Sequence, residues 1–292
     1  MAKRLGLVVL VLVVVGFWLT RPRQIEPEAL PEHVPDLVNG ERLFHAGGCT
    51  SCHGDRLEGG LEIATKFGTF RVPNISPDPA AGIGGWDRLD FVNAMRFGVS
   101  PEGQHYFPAF PYASYTRMSL EDLLDLKAWL DAYEPVRTLV SGHELGFPWR
   151  IRRGVGLWKR LYLDPSPVVT VPEADDRLQR GRYLVEAVGH CGECHTPRTR
   201  FGGLKRQSWL AGGPNPDGEG SVPNITPHRD GLADWSERDI SRYLKSGFTP
   251  EYDTVGGSMA DVQENLARLP DSDRDAIAAY LLAVPPLPDS AD

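Results

Sequence analysis

The sequence predicts an all-α protein of two tandem helical domains behind an N-terminal apolar helix. The first observation is a repeat: Val72-Pro73-Asn74-Ile75-Ser76-Pro77 returns as Val222-Pro223-Asn224-Ile225-Thr226-Pro227, and Arg96-Phe97-Gly98-Val99-Ser100-Pro101 as Lys245-Ser246-Gly247-Phe248-Thr249-Pro250. The second is that helix start and stop signals fall at matching places in both copies. The third is the lack of any convincing run with the alternation of a strand.

The N-terminus supplies the first helix. Lys3 and Arg4 precede an apolar run from Leu5 to Leu19 that closes on Phe17-Trp18-Leu19. A basic start before a short apolar stretch is an export signal. No small-residue cleavage pair follows it, so residues 1–20 are expected to stay as a signal-anchor and transmembrane helix, with Trp18 at the interface. Residues 21–35 carry Pro22, Pro27, Pro31 and Pro35 and form an extended tether.

The first copy covers 36–134 and the second 174–284. A leading helix bears Leu37, Leu43 and Phe44, or Leu178, Tyr183 and Leu184. A middle helix follows Trp86 or Trp235, capped by Asp87 or by Ser236 with Asp239 three residues on, and stops at Gly98 or Gly247. A last helix starts at Ser119 and carries Leu120, Leu123, Leu124 and Leu130; its counterpart carries Ile277, Tyr280, Leu281 and Val284. Residues 135–173 connect the copies, and 285–292 form a tail. The connector interleaves basic and aromatic residues around Trp149 and Trp158. It either packs between the domains or presents a docking surface to a membrane partner or anionic headgroups.

The chemistry lies in Cys49-Thr50-Ser51-Cys52-His53 and Cys191-Gly192-Glu193-Cys194-His195. Cys-x-x-Cys-His attaches c-type haem through two thioether bonds and carries the adjacent imidazole under the iron. The chain has four cysteines. All of them fall in these motifs, so none is left for a disulfide, and two covalently attached haem c groups are expected. His53 and His195 are the proximal ligands. Haem attachment of this type places the body of the chain outside the inner membrane, on the periplasmic side.

Candidate sixth ligands come from the methionines. Met259, in Gly256-Gly257-Ser258-Met259, is the only candidate of the second copy. In the first copy Met95 aligns with Leu244 and reads as core. The preferred donor is Met118, with His105 or an open position as alternatives. Pro73 and Pro223 offer carbonyls that would orient the proximal rings, or they only shape turns. Trp86, Trp235 and Arg71 are candidate partners of the propionates, against a packing role for the tryptophans.

On these motifs each half resembles the class I cytochrome c domain. The whole is similar to membrane-anchored dihaem cytochromes c and to the cytochrome subunits of periplasmic dehydrogenases. The resemblance rests on Cys49 to His53, Pro73 to Ile75, Arg96 to Pro101, Tyr106 to Tyr112, Cys191 to Pro197 and Gly256 to Met259. Many such subunits read Pro-Ala-Met-Pro-Tyr, with that Met as ligand; here Phe110 takes its place. The family often carries three haems, whereas this chain has two motifs.

The resemblance implies an electron-transfer protein rather than an enzyme, placed in a respiratory chain. Its donor would be a dehydrogenase or quinol-oxidising subunit, and its acceptor a soluble cytochrome or terminal oxidase. The rival is a dihaem enzyme with an open site in the first domain, acting on peroxide or a small sulfur compound. A net charge of −8 argues against nucleic acid.

Overall fold

The computed structural model describes residues 2–215 and 220–290. It is largely helical, and the repeat is visible in it. In the first half, α2 (Leu37–Ala46) runs into the turn α3 (Cys49–His53), followed by α4 (Arg88–Phe97), the short α5 (Tyr112–Tyr115) and α6 (Leu120–Asp131). The connector carries α7 (Val155–Tyr162). In the second half, α8 (Asp176–Tyr183) leads to α9 (Gly192–His195), then α10 (Glu237–Ser246), α11 (Met259–Leu266) and α12 (Asp271–Ala283).

The caps form where the residue types require them. Asp87 and Ser236 each close a capping box with the aspartate three residues on, Asp90 and Asp239. Gly98 and Gly247 take left-handed conformations at the C-termini of α4 and α10. Ser119 accepts from Asp122 N at the start of α6.

The first and last helices of each half cross at a glycine. A Cβ on Gly40 of α2 would lie 2.4 Å from Asp125 O of α6, and one on Gly181 of α8 only 2.0 Å from Ala276 O of α12. Between Gly40 and Gly47 the chain has six residues; between Gly181 and Gly189 it has seven. The extra residue is absorbed in a π-helical turn, Leu184–Val188, so the second motif arrives in the same relation to its helix.

Two small sheets depart from the expectation of no strands. Strands β1 (Glu62–Thr65) and β2 (Gly68–Arg71) form a hairpin, and β3 (Glu144–Leu145) of the connector joins its edge. Strands β4 (Gly213–Pro214) and β5 (Ser221–Val222) pair in the second half. These segments are too short to carry an alternating pattern, and β3 finds its partner some seventy residues away.

One apolar core runs through both halves, from Leu43, Phe44 and Leu123 to Val185, Ile277 and Leu281. Helix α1 (Ala2–Leu19) stands out from it with its apolar side chains exposed. Its 18 residues rise about 27 Å, short of a ~30 Å hydrocarbon layer. No helix among the described residues is long and apolar enough to cross a membrane.

Candidate haem-attachment sites

Each Cys-x-x-Cys-His sits on one helical turn immediately after a leading helix. The residue before the motif is in the left-handed region in both copies, Gly48 at φ 56° and His190 at φ 39°. That turn swings the first cysteine back toward the leading helix. Burial pushes the thiols of Cys49 and Cys191 up to about 12, so both are protonated at neutral pH. Cys52 and Cys194 lie at the exposed side of the same turns.

The proximal histidines have equivalent surroundings. His53 Nδ1 lies 2.8 Å from Pro73 O, and His195 Nδ1 lies 2.8 Å from Pro223 O. A carbonyl only accepts, so Nδ1 carries the proton and Nε2 is the nitrogen with a lone pair. Burial pushes His53 down to about 4 and lowers His195, partly opposed by the proline carbonyl in each case. Both rings are therefore neutral, the form a metal requires. The donor set thus fits a covalently held haem: two thiols on one turn, with an adjacent imidazole whose far nitrogen is already oriented.

The repeated Pro-Asn-Ile motif has a second use. Asn74 Nδ2 donates to Val136 O at 2.6 Å, and Asn224 Nδ2 to Leu287 O at 2.8 Å. Each asparagine also accepts from the backbone two residues on, at Ser76 and Thr226. The loop that orients the histidine is in this way tied to the chain just past the end of its own half.

The two motifs meet back to back. A Cβ on Gly47 would lie 3.6 Å from Val188 O, and one on Gly189 3.4 Å from Ala46 O. His190 Nε2 lies 3.2 Å from Gly47 O, and its ring meets Tyr115 edge-on at 5.6 Å. Across the same seam Ser114 Oγ donates to the buried Glu193, which also receives Arg198 at 2.6 Å. Glu193 stands between the two cysteines of its motif, the only sign of its role that the sequence carries.

The other expected site residues divide. Met118 is buried in the core just after α5, its N–H donating to Tyr115 O at 2.9 Å. Met259 is half-buried at the first residue of α11, two residues past the left-handed Gly257. Phe110 sits among the rings of Tyr106, Tyr112 and Tyr115. Trp86 and Trp235 pack partly buried against the core at helix starts, Trp235 edge-on to Tyr243 at 5.5 Å.

Two of the candidate residues, Arg71 and His105, are held by protein groups. Arg71 lies at the end of β2. Its Nε and Nη2 are each 2.7 Å from a carboxylate, Glu62 and Glu144, and Nη1 donates to Gly142 O. Those partners consume the guanidinium fork and clamp β3 onto the hairpin. His105, the alternative ligand, is spent at both ring nitrogens. Nε2 donates to Thr20 O at 2.8 Å, and Nδ1 accepts from Lys159 Nζ at 3.0 Å.

Comparisons with known proteins agree with this geometry. The Cytochrome c family model matches residues 37–133. A diheme cytochrome c-type protein of Cereibacter sphaeroides is 52% identical over 279 residues, covering 92% of this chain and 93% of that one. The fructose dehydrogenase cytochrome subunit of Gluconobacter japonicus is 35% identical over 91% of this chain, and the gluconate 2-dehydrogenase cytochrome c subunit of Pantoea cypripedii 36% identical over 84%. This chain spans only 56% and 58% of those two subunits. The match and the donor sets together support covalently bound haem c.

Proposed function

The chain belongs to the dihaem c-type cytochromes, and from that membership we propose that it is the electron-transfer subunit of a larger oxidoreductase complex. The observation that carries this is the pair of equivalent donor sets, His53 on Pro73 O and His195 on Pro223 O, meeting at the Gly47–Gly189 seam. Two copies of one site, set back to back, suit a relay better than a single catalytic pocket. Bound haem supplies one-electron redox chemistry; the protein supplies ligation, burial and orientation.

In this reading two haems are held, one by each of the units 36–134 and 174–284. Cys49, Cys52, Cys191 and Cys194 attach them, and His53 and His195 stand on their proximal sides. Met118 and Met259 would supply the thioether sulfurs that complete the two iron sites, a donor that raises the potential. In the same reading Trp86 and Trp235 would donate their indole N–H groups to the propionates. The electron donor is a dehydrogenase or quinol-oxidising subunit, and the acceptor is a soluble cytochrome or terminal oxidase. Helix α1 inserts its exposed apolar surface into the inner membrane, with the haem units on the periplasmic side. Relatives named as dehydrogenase cytochrome subunits support the donor class.

The test is made on the full chain from detergent-solubilised membranes. A pyridine haemochrome assay is expected to give two haems c per chain, and one in a Cys191→Ser/Cys194→Ser variant. A dehydrogenase is expected to co-purify and to reduce both haems. Met118→Ala is expected to turn one iron high-spin and lower its potential. Were that variant spectrally silent and the parent protein active on peroxide, the first site would be open and the relay reading would fail in favour of an enzyme.

A further inference from the structure

Residues 147–162 carry a pattern that electron transfer does not use. They include Arg150, Arg152, Arg153, Lys159 and Arg160 and no acidic residue, in a chain of net charge −8. Among the described residues none of these five cations pairs with a carboxylate. Helix α7 is two-sided. Val155, Gly156 and Lys159 are buried, while Leu157 and Leu161, one turn apart, are exposed together with Arg160. The loop before it exposes Phe147, Trp149 and Ile151.

This face is continuous with the end of α1. Arg153 donates to Phe17 O at 2.7 Å and to Thr20 Oγ1 at 2.9 Å, and its guanidinium lies over the Phe17 ring at 3.9 Å. Arg160 donates to Leu19 O at 2.5 Å and lies over the Trp18 ring. Gly156 lets the backbones touch: a Cβ there would lie 2.6 Å from Thr20 O. Helix α7 is thus locked at the level where the apolar run of α1 ends.

We propose that α7 and the loop 147–151 lie in the headgroup layer of an anionic bilayer, as a second membrane contact beside α1. The inference rests on the reading of α1 as a membrane-inserted helix. Large apolar side chains beside cations on one face of a short helix match an interfacial segment, which buries the former among acyl chains and sets the latter against lipid phosphates. The same cations also cap the C-terminal carbonyls of α1, so one set of side chains holds the angle of α1 and meets the headgroups.

Amide hydrogen exchange on the full-length haem-loaded protein tests this, in vesicles of phosphatidylcholine alone and with phosphatidylglycerol added. Segment 2–19 is expected to be protected in both. Segment 147–162 is expected to exchange about tenfold more slowly in the anionic vesicles. An Arg150→Ser/Leu157→Ser/Leu161→Ser variant is expected to lose that difference while keeping haem content and protection of 2–19. If 2–19 is protected and 147–162 exchanges alike in both vesicles, the second contact is refuted and the anchor stands. If only 147–162 is protected, the anchor reading falls and the surface contact stands. Slowing of 147–162 only on adding an acidic partner protein would assign this face to protein docking and overturn the proposal.

Discussion

At the scale of the residue, the most informative group outside the haem motifs is Lys159. Its ammonium is buried, with Phe97 O at 2.5 Å, Gly98 O at 2.7 Å and His105 Nδ1 at 3.0 Å. It holds the C-terminus of α4 and the return of the loop that leads to Phe110. Burial pushes its pKa from 10.5 down to about 7. The unfolded chain keeps this proton up to about pH 10, whereas the folded chain releases it near 7. Across that window the unfolded state binds more protons, so this group makes stability rise with pH; below pH 7 both states hold the proton and its contribution is flat. Denaturant titrations at pH 7 and 9 are expected to show this gain in the parent protein and not in Lys159→Met. The variant should also lose about 1–3 kcal/mol at pH 9, because the two N–H donors of the neutral amine are removed from buried acceptors. An equal pH response in both proteins would show that this amine does not titrate as a buried group. Nothing in the sequence flags the cluster. His105 reads there as a possible iron ligand because its true partners, Thr20 and Lys159, are 85 and 54 residues away. Local patterns carried the opposite case: His53 with Pro73, and His195 with Pro223, follow from a histidine's need for an acceptor and from the repeat.

At the scale of the element, the helix crossings decide the packing of each half. Gly40 and Gly181 face backbone oxygens at 2.4 and 2.0 Å from an ideal Cβ, whereas Gly16 of α1 has nothing within 4 Å. Alanine in a helix is worth about 1 kcal/mol over glycine. At Gly16 that gain is expected with no opposing cost. At the two crossings a backbone atom must move, and overpacking of this kind costs about 1–3 kcal/mol. Gly40→Ala and Gly181→Ala are therefore expected to lower the denaturation midpoint, and Gly16→Ala to leave it unchanged or raise it slightly; midpoints measured on haem-loaded protein check this. A lowered midpoint for Gly16→Ala, or none for the crossings, would mean that the helices do not approach at these glycines. The long helices were legible because caps, stops and apolar spacing are local. The sheets were not, since β3 is two residues of the connector pairing at a distance. Helix α11 was hidden too: its first residue, Met259, follows a glycine-rich loop, and its packing face is supplied by α10. The π-helical turn before the second motif shows in the sequence only as one surplus residue between two glycines.

At the scale of the whole molecule, the repeat suggests two domains that would stand alone, but the interactions between the halves argue for shared stability. One apolar core contains residues of both. Tyr183 of the second half donates to Asp122 of the first and accepts from Ser119 N at 3.2 Å. Ser114 bonds the buried Glu193 at 2.9 Å, and Asn265 reaches Ser51, inside the first motif, at 3.2 Å. The connector is tied in as well: Val168 N and Val169 N donate to the buried Glu186, which also accepts from Tyr280 at 2.6 Å. Separating the halves would exchange these hydrogen bonds for bonds to water, at about 0.5–1.5 kcal/mol each, and would also expose the apolar surface around them. That sum is large against a net stability of about 5–15 kcal/mol. The halves are therefore expected to unfold in one cooperative transition. Hydrogen exchange under rising denaturant is expected to lose protection in α6 and α12 at the same concentration. In a Ser114→Ala/Tyr183→Phe variant, which cuts the seam without replacing a residue of either haem motif, the two should separate. Independent loss of α6 and α12 in the parent protein would show two autonomous units, and the close approach of Gly47 and Gly189 would then be contact without coupling.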